Sequence, residues 1–201
     1  IKLYFILQDF DKKIYKFYLD LFEKVYFNFI LKIMNNESVL DFFIDILANI
    51  DESRPTLPIF SSSEIVILCK ESKVIFLQEP TLLNLSGDFI IVGDLHGHVF
   101  DLIKIFKKYG LPPAQSYIFL GDIVDRGNFS LTILTLLLAL KNKYHNNIYL
   151  VRGNHEFRSV CSNSGFYDEI QKKYKNEDET NSIFESFIDV FNSLPLVAIL
   201  N

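Results

Sequence analysis

Three short clusters of metal-binding and proton-transferring side chains recur along this sequence. They are Gly93-Asp94-Leu95-His96-Gly97-His98, Gly121-Asp122-Ile123-Val124-Asp125-Arg126-Gly127, and Arg152-Gly153-Asn154-His155-Glu156. Together they gather carboxylates, imidazoles, an amide and guanidinium groups, with no thiol. Such oxygen and nitrogen donors suit divalent manganese, iron or zinc, and the lack of sulfur argues against an iron–sulfur or structural zinc centre. Two ions side by side would clamp a phosphoryl oxygen and lower the pKa of a shared water. Asp94 and His96, one residue apart, would share a side of the chain on a strand-like exit. Asp122 could bridge two ions, and the planar fork of Arg126 suits a bidentate grip on phosphate. The flanking glycines let each loop turn sharply.

Other polar residues nearby have plainer readings. His98 sits where a helix would begin, as a cap or a solvent-facing group. Arg152 reads equally as a surface ion-pair partner or a phosphate contact. Glu156 reads as a hydrogen-bond acceptor behind the ligands, and His145, in a polar Tyr-His-Asn-Asn loop, as unrelated to the site.

What must position these clusters is legible in the apolar pattern. Phe89 to Val92, Tyr117 to Leu120 and Ile148 to Val151 read as short buried strands, each running straight into one cluster. Between them, Val99 to Tyr109 has helical periodicity ended by Gly110 and Pro112, and Ser130 to Tyr144 a second helical run. Alternating strands and helices imply βαβ units and a parallel sheet. Loops at the carboxyl ends of parallel strands share one edge, so the three clusters should converge. Further helical segments follow between Gly165 and Asn192, and Leu196 to Leu200 reads as a fourth strand.

Upstream, apolar residues from Ile14 to Ile33 fall at helical spacing, and a second short helix spans about Val39 to Ile50. Asp51 to Pro58, with Pro55 and Pro58, reads as a linker. Ser61 and Glu64 form a capping-box pattern that opens a helix reaching about Leu77.

Composition narrows the field. With 201 residues, 49% hydrophobic and 22% charged, the chain can bury a core. A formal net charge of -5 argues against electrostatically driven nucleic-acid binding. The strongest apolar run, Leu131 to Leu140, is about half the ~20 residues that a bilayer span needs, so no membrane segment is expected. Two distant cysteines, Cys69 and Cys161, suit a reducing compartment, the cytoplasm or nucleus.

At the three clusters the sequence closely resembles the PPP family of serine/threonine protein phosphatases, whose signature blocks are GDxHG, GDxVDRG and GNHE. All three blocks stand intact. The Ser61–Leu77 helix, Gly165-Phe166-Tyr167-Asp168-Glu169 and Leu194-Pro195-Leu196 look similar to the family as well. The resemblance implies an α/β chain of the metallophosphoesterase type, a β-sandwich flanked by helices. Its N-terminal βαβαβ half would lie in residues 53–201, after a helical N-terminal extension at 1–52. It also implies two divalent metal ions: Asp94 and His96 on the first, Asp122 bridging, Asn154 on the second. His155 would be the general acid, Asp125 its orienting partner, and Arg126 with Asn154 would hold the phosphate. Phosphoprotein substrates and regulatory subunits are the partners implied.

The family's two further metal-binding histidines and second phosphate-binding arginine would lie beyond Asn201. The expectation is therefore a fragment of a longer protein, inactive as 201 residues alone. A metallophosphoesterase for nucleotide polyphosphates and a non-catalytic binding module are the alternatives. His98 replaces a glutamine common in the family, and Phe157-Arg158 a more usual small pair.

Overall fold

The structure is a computed structural model that describes residues 59–201. The helices expected at 14–33 and 39–50, the linker at 51–58 and the boundary at 52/53 lie outside the described residues.

Helix α1 (Ser62–Phe76) starts on the expected capping box. The Ser61 hydroxyl accepts from the Glu64 N–H at 3.3 Å, and the Glu64 carboxylate accepts from the Ser61 N–H at 2.7 Å. Then come β1 (Leu82–Leu85), β2 (Phe89–Val92), α2 (Val99–Tyr109), β3 (Ser116–Phe119), α3 (Ser130–Lys143) and β4 (Ile148–Leu150). A one-turn α4 (Arg158–Cys161), α5 (Phe166–Tyr174), α6 (Glu177–Phe191) and β5 (Val197–Leu200) complete the order.

Strands β2, β3 and β4 form a parallel sheet in that order, with Ile91 opposite Ile118 and Ile118 opposite Tyr149. Alternation along β3 splits its side chains between two layers. Tyr117 and Phe119 enter the main core with the helices, while Ile118 joins Leu83 and Leu85 in a smaller cluster on the other face. That second layer contains β1, a strand not anticipated from the sequence. It pairs in parallel with β5, Leu82 opposite Val197. The expected fourth strand thus exists, but in a separate two-stranded sheet rather than beside β4. The mixed α/β build agrees with a metallophosphoesterase fold. Strand β2 is less buried than its apolar run suggests. Ile91 is 55% exposed because β2 is an edge of its sheet and that residue points away from the helices.

Helix α3 is the central column. Every residue from Ser130 to Lys141 is buried, with α1, α2 and α5 packed against it. Lys141 is fully enclosed. Its ammonium bonds the Glu79 carboxylate and donates to the carbonyls of Ile148 (2.8 Å) and His145 (3.1 Å). Burial pushes its pKa below the ordinary lysine value, with the Glu79 carboxylate opposing that shift.

Candidate active site

The three loops that follow β2, β3 and β4 meet at one edge of the sheet, and the first two are bonded to each other through their backbones. The N–H groups of Leu95 and His96 both donate to the Asp122 carbonyl at 3.0 Å, and the Gly127 N–H donates to the His96 carbonyl at 2.9 Å. Glycines make this approach feasible. A Cβ on Gly121 would lie 2.2 Å from the Gly153 nitrogen, and one on Gly127 2.3 Å from the His96 oxygen. Four non-glycine residues here adopt left-handed backbone: His96 (φ 40°), Asp122 (50°), Asp125 (72°) and Arg126 (65°). Each such conformation costs on the order of 1–3 kcal/mol and persists only where surroundings hold it.

One holding group is Glu156. Its carboxylate is fully buried and accepts from the N–H groups of Asp122 (2.8 Å), Ile123 (2.9 Å), Gly153 (3.0 Å) and Val124 (3.4 Å). It therefore binds the second and third loops into one unit, the role of acceptor behind the ligands that its sequence position suggested. Burial pushes its carboxyl above the usual range, and the N–H bonds pull the other way.

The polar side chains converge on the space these loops enclose. His96 is buried, and its Nδ1 donates to the Val124 carbonyl at 2.7 Å. That bond leaves Nε2 as a bare acceptor, buried without a hydrogen-bond partner and 3.7 Å from the exposed Asp94 carboxylate. The two do meet, but through the left-handed turn at His96 rather than the strand-like exit expected. Asp122 Oδ1 accepts from the His155 N–H at 2.9 Å. One donor atom from each of His96, Asp122 and His155 lies within 4.8 Å of the other two. The His96 and His155 rings meet edge to face with centroids 4.6 Å apart. A buried imidazole lone pair facing carboxylate oxygens lacks positive charge, so these residues fit a divalent cation.

Beside this cluster, His155 Nδ1 lies 2.8 Å from Oδ2 of Asp125, whose side chain is completely buried. The other Asp125 oxygen, Oδ1, accepts the Phe166 N–H at 3.0 Å. His155 Nε2 faces Nη2 of the exposed Arg126 at 3.4 Å. Asn154 is exposed on the turn between Gly153 and His155.

Residues outside the cluster also find their places. Arg152 donates to the Glu156 carbonyl (3.0 and 3.1 Å) and to Asn192 Oδ1, with its guanidinium 4.0 Å above the Phe157 ring. It thus braces the third loop. His98 stands at the N-cap of α2 without a capping bond from its side chain, and His145 is exposed. Sequence reasoning assigned nothing to Glu169, although its carboxylate binds the start of α3. Its only signal was its place in the Gly165–Glu169 segment.

Residues 87–201, more than half the chain, match the family model of calcineurin-like phosphoesterases. The chain belongs to that family. Residues 40–86 match the serine-threonine protein phosphatase N-terminal domain, which puts it in the PPP branch. Among solved structures it is similar to a protein serine/threonine phosphatase from Saccharomyces cerevisiae that has similarity to human phosphatase PP5. The identity is 32% and the TM-score 0.68, over 79% of this chain and 50% of that one. The chain thus spans about half the length of that relative. Phosphoesterases of this family work with divalent metal ions, in keeping with the bare Nε2 of His96. Among the described residues no helix is long and apolar enough to cross a membrane.

Proposed function

We propose that the protein hydrolyses phosphoserine and phosphothreonine esters of other proteins. The observation that carries this reading is the His155–Asp125 pair, held against the His96–Asp122 donor cluster with Arg126 alongside. Asp94, His96, Asp122 and Asn154 would hold two divalent ions, manganese, iron or zinc, which when bound supply an activated water and neutralise phosphoryl charge.

The remaining work falls to the chain's own side chains. Asp125 accepts the Nδ1 proton of His155 and fixes the ring, so that Nε2 is the atom from which a proton would be passed on. As the bond from phosphorus to the seryl or threonyl oxygen breaks, that oxygen takes the proton from Nε2. Arg126, which is exposed, would turn its fork from His155 to the phosphate oxygens, and the exposed Asn154 would join it there. The match to a phosphatase N-terminal domain favours protein substrates over nucleotide polyphosphates. Regulatory subunits would add docking surface. Two free, buried thiols, Cys69 and Cys161, suit a cytoplasmic or nuclear setting.

The test uses the full-length protein loaded with Mn²⁺. His155→Asn should lower kcat on a phosphoserine peptide by about 10²- to 10⁴-fold, the span of a lost general acid. The loss should be much smaller on an aryl phosphate whose acidic phenol leaves without a proton. Equal losses on both esters would remove the acid role from His155. Faster turnover of a dinucleoside polyphosphate than of phosphopeptide would move the substrate class.

A further inference from the structure

We infer that Glu169 is a positioning residue for the Asp125–His155 pair, acting through the two helix starts that Glu169 and Asp125 cap. This inference rests on the phosphatase reading above.

Helix α3 begins directly after the loop that carries Asp125 and Arg126, and its first turn has no cap of its own. The N-cap residue is Phe129, which makes no side-chain bond to the helix, and the Ser130 hydroxyl is buried without a partner. The first N–H groups of a helix need acceptors from elsewhere. Here they come from α5: Glu169 Oε2 accepts the Ser130 N–H at 2.8 Å and Oε1 the Leu131 N–H at 3.2 Å. A carboxylate in this place also meets the positive end of the α3 dipole.

Helix α5 has the same deficit. Gly165 precedes it and offers no side chain, so the Phe166 N–H goes instead to Oδ1 of Asp125. Asp125 thereby caps α5, and α5 through Glu169 caps the helix that follows Asp125. The grip is reciprocal, and it closes around four residues, Arg126 to Phe129, whose first member and whose predecessor Asp125 are both left-handed. Local preference does not keep that backbone in place, so outside contacts must. On the α5 side the remaining direct tie, from the Arg126 N–H to the Ser164 carbonyl, is long at 3.4 Å, while on the other side the Gly127 N–H bonds the His96 carbonyl at 2.9 Å. With Glu169 removed, α5 and α3 lose their connection at this point, and the Phe166 N–H is free to leave Asp125. The carboxylate would then no longer hold His155 in one orientation. Lys173, one turn along α5, pairs with Glu169 Oε1 at 3.0 Å and makes no hydrogen bond or ion pair to α3 or Asp125.

The test is a double-mutant cycle in the full-length, Mn²⁺-loaded protein, with turnover of a phosphoserine peptide as one readout. Glu169→Ala should lower kcat about tenfold or more (a tenfold change being ~1.4 kcal/mol). Glu169→Gln, which retains an acceptor oxygen, should recover most of that, and Lys173→Met should stay within about twofold of the parent. In an Asp125→Asn background, Glu169→Ala should cost less than about twofold, because the residue through which it acts is already disabled. The second readout needs no activity: amide exchange at Phe166 should speed up about tenfold in Glu169→Ala, with α6 unaffected. Multiplying effects in the cycle, or unchanged exchange at Phe166, would overturn the inference. If the parent protein does not cleave the phosphopeptide, the phosphatase reading fails, and exchange at Phe166 still decides the positioning claim. Should Glu169→Ala not fold, Glu169→Gln takes its place in both measurements, with a smaller effect in the same direction expected.

Discussion

Replacing Glu156 with glutamine should cost the fold about 2–4 kcal/mol, although the two side chains have nearly the same shape. The carboxylate faces only donors, three N–H groups within 3.0 Å and a fourth at 3.4 Å. A glutamine keeps one oxygen for them and turns an NH₂ group against the rest. About two charge-assisted bonds are lost, each ~1.5–3 kcal/mol. Part of that is recovered because no charge is then buried, which leaves a net cost of ~2–4 kcal/mol. With a urea slope of roughly 2 kcal/mol/M, the unfolding midpoint should fall by about 1–2 M at unchanged slope. The titration is best followed by circular dichroism with metal chelated, so that ion binding does not contribute. A midpoint shift below about 0.3 M would refute the reasoning. It would mean that the native carboxyl is neutral, since glutamine mimics the protonated acid, and that burial outweighs the N–H bonds at this site.

Three other outcomes are expected. Lys141→Met should destabilise by about 3–5 kcal/mol, because the largely enclosed Glu79 carboxylate, its side chain 14% exposed, is left unpaired. Adding Glu79→Gln should restore much of the loss, and a double variant no more stable than the single would show that the two groups are not coupled. Gly153→Ala would place a methyl 2.3 Å from both the Asp122 nitrogen and its Oδ1, so Mn²⁺ affinity measured by calorimetry should fall at least about tenfold; parental affinity would contradict the loop contact. The Cys161 thiol is pushed by burial, and secondarily by the Asp125 charge, from its ordinary 9.0 up to about 12. The unfolded chain therefore releases this proton first, so the contribution is complete below about pH 9 and declines as pH rises toward 12. Cys161→Ala should flatten the fall of the urea midpoint between about pH 9 and 10.5, and an unchanged slope there would count against the burial argument.

The sequence by itself determined the local elements. The Ser61/Glu64 box starts α1, Gly110 ends α2, and the apolar runs at β3 and β4 form strands within a residue of where periodicity puts them. Those signals are energies of neighbouring residues, so they can be read without the rest of the chain. The order of strand, cluster and helix also foretold that the loops would gather at one edge.

Tertiary structure decided the rest. Strand β1 is only Leu-Leu-Asn-Leu, too brief to announce itself, and exists because β5, from the far end of the described chain, pairs with it. The left-handed turns at His96, Asp122, Asp125 and Arg126 run against local preference. They are kept by acceptors on Glu156, by backbone carbonyls of other loops, and by the capped starts of α3 and α5. Which N–H meets which oxygen across those distances has no period and no spacing along the chain. It is settled only when burial removes water and each buried donor must find its partner inside the protein.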